Sequence, residues 1–301
     1  MPVKAIVTGG AGFIGSHLVE LLLEEGVQTH VIDNLSTGSL SNVHPLAVVH
    51  VADVRSDRTI ELIVREQPDI VYHLAAQADV SRSIEDAEFD ADVNIIGTVK
   101  LLEACKLTGR SKLVLASTSS VYGHLHKSLI CENDSVAPAS FFGLSKLTAE
   151  SYIRLFHKLY HVPYTILRIA NVYGPRQTPK GEGGVIAVFI DKIRKGLPLT
   201  IHGDGEQTRD FVYVKDVARA ALSTLYRGHQ NTFHVSTATP TSINQLIAIL
   251  SDFEQVALPV RHGPSRIGDI KHSCLDNYNA RIYLGWRPTT VLAHGLIETF
   301  R

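Results

Sequence analysis

Three residues near the start of the chain, Gly9, Gly12 and Gly15, have a type and spacing suited to binding a phosphate. They follow a short apolar run, residues 3–7, and precede an amphipathic segment, residues 17–25. A buried strand, a glycine-rich turn and the start of a helix form a dinucleotide-binding fingerprint. The first glycine permits a tight turn, the second lets the backbone approach a pyrophosphate, and the third lets helix and strand pack closely. The free N–H groups and the helix dipole then favour the phosphate charge.

Asp33 is the acidic residue that this fingerprint requires. It ends a second predicted strand, residues 28–32, and follows the glycines at about the distance of 20 residues expected for a ribose-binding acid. A carboxylate at this place accepts hydrogen bonds from a free 2′-hydroxyl group and repels a 2′-phosphate. The sequence therefore predicts a fold that binds NAD in preference to NADP.

The elements that must position these residues alternate between strand and helix. Further strands are predicted at residues 48–51, 70–74, 112–116 and 164–169, and helices at residues 56–66, 90–107 and 143–160. Such alternation predicts an α/β fold with a doubly wound parallel sheet. After Asn171 a loop rich in proline and glycine interrupts the rhythm. We expect an NAD-binding Rossmann domain at 1–172, to which later segments return, and a smaller α/β substrate domain at 173–301.

Composition narrows the class of protein. The chain has 301 residues, 45% of them hydrophobic and 20% charged, with a formal net charge of −1. Such a charge argues against a nucleic-acid binder, and the apolar runs are too short to span a bilayer. The three cysteines, Cys105, Cys131 and Cys274, have no metal-type spacing, and the 15 histidines suggest no ligand set. We expect no metal site, no nucleic-acid or membrane partner, and a cytoplasmic protein.

Several stretches along almost the whole chain occur in the order of one family. They are Thr8-Gly-Gly-Ala-Gly-Phe-Ile-Gly-Ser, Asp33-Asn-Leu-Ser, His73-Leu-Ala-Ala-Gln, Asn94-Ile-Ile-Gly-Thr, Ser117-Thr-Ser-Ser-Val-Tyr-Gly, Gly143-Leu-Ser-Lys-Leu-Thr-Ala-Glu, Arg168-Ile-Ala-Asn-Val-Tyr-Gly-Pro-Arg, Gly203-Asp-Gly, Thr208-Arg-Asp-Phe-Val and Arg266-Ile-Gly-Asp. With them the chain resembles the extended short-chain dehydrogenase/reductase family, in its branch of nucleotide-sugar epimerases and dehydratases.

The resemblance implies a reaction. In this family NAD⁺ oxidises the sugar, usually at C4, the ketone is epimerised or loses water, and NADH returns the hydride. A Ser/Thr–Tyr–Lys active site is implied, with Thr118 at the hydroxyl position and Lys146 at the lysine position. Thr118 would hydrogen-bond the sugar oxygen. The ammonium of Lys146 would bind the nicotinamide ribose and lower the pKa of a neighbouring tyrosine from its usual value of about 10.

The tyrosine of this pattern is absent, because Phe142 stands four residues before Lys146. Three interpretations are open. The tyrosine was replaced by design to trap a complex, or the enzyme uses another group, for which Tyr122, Cys131 and Glu132 are near in sequence. In the third, the protein is a catalytically silent binder of NAD and nucleotide sugar.

Two serines bear on the outcome of the reaction. The 4,6-dehydratases and decarboxylases of the family carry acids just after the hydroxyl residue, where this chain has Ser119 and Ser120. Neither serine is a credible base for a carbon acid, so 4-epimerisation of a UDP-hexose is favoured. A UDP-N-acetylglucosamine 5,6-dehydratase that takes its acid and base from elsewhere is the alternative.

The resemblance also implies the binding residues. NAD would be held by Gly9, Gly12, Phe13, Ile14, Asp33, Asn34, Ser36, Asp53, Val54, Leu74, Ala75, Ala76, Gln77, Asn94 and Lys146. The nucleotide sugar would be held by Ser83, Thr118, Asn171, Arg209, Arg266, Asp269 and Ser273. Within the second set, Asn171 and the two arginines would contact the diphosphate, because the planar guanidinium group makes paired hydrogen bonds to phosphate.

Ser273 is implied to be the gate for the 2-substituent of the sugar, seven residues after Arg266. A tyrosine at this position would fill the space that an N-acetyl group needs, whereas serine leaves it open. We therefore predict that UDP-N-acetylglucosamine binds at least as well as UDP-glucose. The family also commonly dimerises through two helices per subunit, here residues 90–107 and 143–160.

Overall fold

The structure is a computed structural model that describes residues 3–125, 127–179, 184–264 and 270–300. In these parts of the chain the strands, β1 to β12 in order, are Lys4–Thr8, Gln28–Asp33, Val48–Val51, Ile70–His73, Lys112–Thr118, Tyr164–Ile169, Asn171–Tyr173, Leu199–His202, Thr208–Tyr213, Asn231–Val235, Pro240–Ser242 and Val260–Gly263. The helices, α1 to α10, are Phe13–Glu24, Asp57–Glu66, Val80–Glu85, Ala87–Ala91, Gly97–Thr108, Phe141–Tyr160, Val185–Arg194, Val214–Ser223, Ile243–Glu254 and Leu292–Phe300.

A seven-stranded parallel sheet forms the centre of the fold, in the order β10-β6-β5-β4-β1-β2-β3. Its inner strands are apolar runs, which is the pattern of strands covered by helices on both faces. The predicted doubly wound α/β fold is thereby confirmed. The chain runs outward from β1 to β3 and then returns to β4, so the strand order reverses between β1 and β4. In open α/β sheets the ligand crevice lies outside the carboxyl ends of the strands at this point.

Two apolar layers cover the sheet. On one face Leu18 of α1 and Val217 of α8 belong to one buried cluster. On the other face a second cluster contains Leu62 of α2, Leu101 of α5 and Ile153 of α6. Burial on both faces fixes the sheet relative to α6, the helix that carries Phe142 and Lys146.

A third apolar cluster joins elements from the later part of the chain, among them α7, α9 and α10. Beside it lie a three-stranded sheet, β11-β9-β7, and a pair of strands, β12 and β8. Although β10 comes after these elements have begun, it pairs with β6 in the large sheet. The division of the chain into domains at residue 172 stays a prediction.

The boundaries of two helices differ from the prediction because side chains cap them. The helical segment predicted at 90–107 starts earlier, where Asp86 accepts a hydrogen bond from the backbone of Phe89. Within it, Asp92–Ile96 forms a π-helical turn between α4 and α5. Helix α6 starts at Phe141, because the hydroxyl group of Ser140 accepts a hydrogen bond from Gly143 N. No helix in the described parts of the chain is long and apolar enough to cross a membrane.

Candidate active site

The glycine-rich turn has the shape that a dinucleotide requires. Gly9 has a φ of +71°, and a Cβ atom there would lie 2.6 Å from the backbone nitrogen of Ala75, so a side chain does not fit. A Cβ atom on Gly15 would collide with the carbonyl oxygen of Gly9, which lets α1 pack closely against the turn. At Gly12 a Cβ atom would meet only that carbonyl oxygen, at 3.2 Å. Because no side chain caps the amino end of α1, the turn fits a pyrophosphate.

Asp33 lies at the end of β2, beside the glycine-rich turn. Its Oδ2 accepts a hydrogen bond from Ala11 N at 2.9 Å, and its Oδ1 accepts one from Leu35 N at 2.8 Å. The carboxylate therefore holds the turn and the loop after β2 together. Its role in binding the ribose stays a prediction, and the remaining lone pairs of both oxygens leave room for it.

Asp53 and Asn34, both predicted to bind NAD, are brought together by the structure. Asn34 Nδ2 donates to Asp53 Oδ2 at 2.8 Å. Arg55, which the sequence did not single out, makes paired hydrogen bonds of 2.8 Å to both oxygens of Asp53. These bonds hold the pKa of Asp53 well below its usual range, so this carboxylate stays charged. Arg55 also pairs with Asp92 in the π-helical turn.

Asn94 links the loop after β4 to α6. Its Oδ1 accepts from Gln77 N at 3.0 Å, and its Nδ2 donates to Gln77 O at 2.9 Å. The same nitrogen also lies 3.0 Å from Ser145 Oγ on α6. This set fixes the loop 74–77, which carries four of the predicted NAD contacts, relative to the helix of Lys146. Ser83, predicted in the sugar pocket, is buried, and its hydroxyl group donates to Val80 O in its own helix.

Thr118 ends β5, next to the start of α6. Its Oγ1 accepts from Ser120 N and donates to Ser120 Oγ, both at 3.1 Å. A Cβ atom on Gly143 would lie 2.6 Å from Ser120 O, so the absence of a side chain lets α6 approach this turn. The arrangement sets the first turn of α6, with Phe142, directly against the turn that follows Thr118.

Phe142 and Lys146 lie one helical turn apart and are 8% and 3% exposed. Burial, with a smaller contribution from the charge of Lys146, lowers the pKa of His73 to about 3. His73 is therefore neutral, held between Thr8 and Thr98 by contacts of 2.9 and 3.0 Å. Lys146 thus lies close to the carboxyl end of β4, and its role as a ligand of the nicotinamide ribose stays a prediction. The phenylalanine ring adds an apolar wall at this place and no proton donor or acceptor.

The three groups considered as replacement bases are engaged elsewhere. Tyr122 is buried, donates to His234 Nε2 at 2.6 Å and accepts from Arg168, and burial raises its pKa to about 12. Glu132 accepts hydrogen bonds from His234 N and from Asn279. Cys131 lies at the surface, 3.9 Å from Asp276 Oδ2, and burial and nearby carboxylates raise the pKa of its thiol. No hydrogen bond between described residues joins any of the three to Thr118.

Two of the predicted substrate residues, Asn171 and Arg209, lie on neighbouring strands. Asn171 begins β7, which pairs in parallel with β9, the strand of Arg209. Ser273 is 8% exposed, and its backbone nitrogen donates to Thr208 O at 3.2 Å, next to Arg209. Arg266 and Asp269 lie outside the described residues.

A cavity of about 500 Å³ lies beside these substrate residues. Its walls include His124 and Leu125, which follow the turn after Thr118, and His272 and Cys274, which flank Ser273. Ser273 itself is not in the wall. The cavity therefore adjoins the predicted gate, and its volume is in the range of small-molecule sites.

Comparison with known proteins defines the class. Residues 5–236 match the NAD dependent epimerase/dehydratase family, and the chain belongs to this family. Membership confirms the family expected from the motifs, NAD as the cofactor, and an enzyme of the nucleotide-sugar epimerase or dehydratase type.

Three similar proteins, all of them called UDP-sugar 4-epimerases, show which members of the family the chain resembles. A putative UDP-glucose 4-epimerase of Methanocaldococcus jannaschii is 41% identical over 97% of this chain and 95% of its own. The structure of a UDP-glucose 4-epimerase of Thermotoga maritima with UDP-glucose has a TM-score of 0.96 at 40% identity, covering 99% of this chain and 97% of that one. A UDP-N-acetylglucosamine 4-epimerase of Methanobrevibacter ruminantium, in complex with UDP-N-acetylmuramic acid, has a TM-score of 0.94 at 34% identity, covering 100% and 98%.

Proposed function

We propose that the protein is an NAD-dependent UDP-hexose 4-epimerase whose substrate is UDP-N-acetylglucosamine. The observation that carries the proposal is the close approach of α6, which carries Phe142 and Lys146, to the turn that follows Thr118, together with a cavity that adjoins Ser273. The names of the three similar proteins support the reaction type and include both glucose and N-acetylglucosamine as sugars.

Bound NAD supplies the reversible hydride acceptor for C4 of the sugar. Thr118 Oγ1 orients the 4-hydroxyl group, and the charge of Lys146 holds the cofactor ribose and favours a developing oxyanion. Asn171 and Arg209 hold the diphosphate, so the sugar can present either face of C4. With Phe142 in place, the hydroxyl pair of Thr118 and Ser120, 3.1 Å apart, is the route that exchanges the 4-hydroxyl proton with solvent. Serine and threonine are weak bases, so this route is slow.

The function is tested by incubating the NAD-loaded protein with UDP-N-acetylglucosamine and identifying products by NMR. The expected product is UDP-N-acetylgalactosamine, formed without net consumption of NAD. A product that has lost water would identify a dehydratase instead.

The size of the gate residue gives a separate prediction. We expect Ser273→Tyr to weaken binding of UDP-N-acetylglucosamine by roughly tenfold or more, because overpacking typically costs about 1–3 kcal/mol. UDP-glucose, which lacks the N-acetyl group, should bind as before. Calorimetric titration of both sugars, with Ser273→Ala as the control for loss of the hydroxyl group, separates the effects. Equal losses for the two sugars would contradict a gate.

We also propose a homodimer that uses α6 as an interface. Tyr152, Leu155 and Leu159 are exposed on this helix and recur at helical spacing, so they form an apolar stripe. We expect Leu155→Asp to shift the protein from dimer to monomer in sedimentation velocity. Leu197→Asp, at an equally exposed leucine outside the stripe, should leave the mass unchanged. A monomeric parent protein would refute the interface.

A further inference from the structure

Two histidines from neighbouring strands lie side by side at the edge of the large sheet. His30 belongs to β2 and His50 to β3, and the register sets Ile32 opposite His50. Because side chains alternate along a strand, both imidazoles project from the same face. Their Nδ1 and Nε2 atoms, respectively, are 3.0 Å apart. In this contact one nitrogen donates and the other accepts, so at least one of the two rings presents a lone pair.

Helix α2 brings a carboxylate to the same face. Glu66 ends this helix, and its Oε2 lies 3.9 Å from His30 Nε2. With one ligand atom taken from each of the three residues, these atoms lie within 4.8 Å of one another. Ligand atoms around a tetrahedral zinc ion are roughly 3.3 Å apart, because Zn–N bonds are about 2.0–2.1 Å long. Modest side-chain rotations are therefore enough to bring the three atoms around one ion.

The burial of His30 is a separate observation that points to a ligand. The residue is 4% exposed, and its Nε2 has no hydrogen-bond partner among the described residues. A buried polar atom without a partner costs free energy, and a bound ion is one of the ways in which proteins satisfy it. This nitrogen approaches Glu66, so a cation between the two side chains would satisfy both.

Two cations already contact the carboxylate of Glu66. Lys4 Nζ lies 3.1 Å from its Oε2, and Arg65 donates to its Oε1 at 2.8 and 3.0 Å. Lys4 is half-buried and Arg65 is exposed, so both long side chains can turn toward solvent when an ion takes their place. Each of them repels a divalent cation, and the affinity of the site is therefore sensitive to their charge.

We propose that His30, His50 and Glu66 form a zinc site that clamps β2, β3 and α2 together. Two imidazoles and one carboxylate suit zinc, whereas magnesium and calcium prefer oxygen ligands. His30 lies three residues before the end of β2 at Asp33, roughly 10 Å away along the strand, so the site is separate from the proposed reaction. The sequence suggested no metal site, because its ligands come from three elements that only the fold brings together.

The experiment measures zinc binding to the NAD-loaded protein by calorimetry, after treatment with a chelator. We expect one zinc ion to bind per chain and to raise the melting temperature by about 4 °C when free zinc is about 100 times its dissociation constant. Magnesium should produce neither effect. His50→Ala should weaken zinc binding at least about tenfold, because loss of a group that only hydrogen-bonds a metal ligand already costs about 10–100-fold. His294→Ala, at an exposed histidine on α10, is the matched control and should change nothing.

Lys4→Met tests the third ligand in the opposite direction. It frees Glu66 Oε2 and removes a like charge, so zinc should bind severalfold more tightly. An unchanged or weaker affinity in this variant would exclude Glu66 as a ligand and overturn the site. Equal affinities of the parent and His50→Ala would assign the binding to other histidines and overturn it as well. A parent protein that binds no zinc would do the same.

Discussion

Phe142→Tyr is expected to raise the turnover of UDP-N-acetylglucosamine by at least about 10²-fold, the lower range for a general acid–base group. The new hydroxyl group would stand one helical turn before Lys146, whose charge lowers the pKa of a neighbouring phenol. It would also stand against the turn that follows Thr118, because Gly143 lets α6 approach Ser120 closely. Initial rates measured by NMR over a range of pH are the readout, and the variant should acquire a pH dependence that the parent lacks.

Phe156→Tyr is a matched control for this substitution. Phe156 is buried on the same helix and also 8% exposed, but it packs in the apolar layer behind the sheet. A hydroxyl group there should not raise the rate. If Phe142→Tyr and the parent are equally active, another residue carries the proton. If both are inactive while NAD and UDP-sugar still bind, the protein is a binding protein.

The second large effect concerns stability. Glu150→Ala is expected to lower the free energy of unfolding by about 3–5 kcal/mol, as removal of one partner of a buried ion pair does. Glu150 is 0% exposed and accepts hydrogen bonds from Arg168 at 2.7 and 3.0 Å and from Ser117 at 2.6 Å. Its loss leaves the buried guanidinium group of Arg168 without a counter-ion. Urea denaturation of the two proteins measures the difference.

Glu103→Ala, which removes an exposed pair with Lys106, should lower the free energy of unfolding by less than about 1 kcal/mol and serves as the control.

Lowering the pH should also lower the free energy of unfolding, because it protonates Glu150. Burial alone would raise the pKa of Glu150, but the hydrogen bond and charge of Arg168 outweigh it and hold the pKa below its usual value. A folded-state pKa below the unfolded one contributes stability at neutral pH, which is lost as the pH falls through it. A cost below 1 kcal/mol for Glu150→Ala would show that the pair does not anchor α6.

The sequence alone predicted correctly those parts of the site that residues close together in the chain form. The turn from Gly9 to Gly15 and the strand ending in Asp33 follow from short apolar runs and glycine spacing, and the structure has them in place. The parallel sheet also follows, because strand–helix alternation allows few topologies.

Contacts between distant segments could not be predicted in the same way. Glu150 lay within a recognised motif, yet its partner Arg168 comes from the next strand and became visible only when α6 was placed. The pairing of Asn94 with Ser145 is of the same kind. For Ser273, the motif count fixed the position in the chain, but it did not reveal that the neighbouring side chains form the cavity wall. In a helix or strand, the side chains on one face recur at a regular spacing that the sequence reveals. The irregular segment around Ser273 has no such spacing, so the sequence could not show which of its side chains face the cavity.

The late return of β10 to the large sheet has a consequence for synthesis on the ribosome. While the nascent chain is being made, β6 is an open edge whose backbone groups have no partner on one side. That edge stays available for pairing with foreign strands until Asn231–Val235 has emerged, after β7, α7, β8, β9 and α8. Completion of the large sheet therefore requires synthesis of the whole segment from β7 to α8.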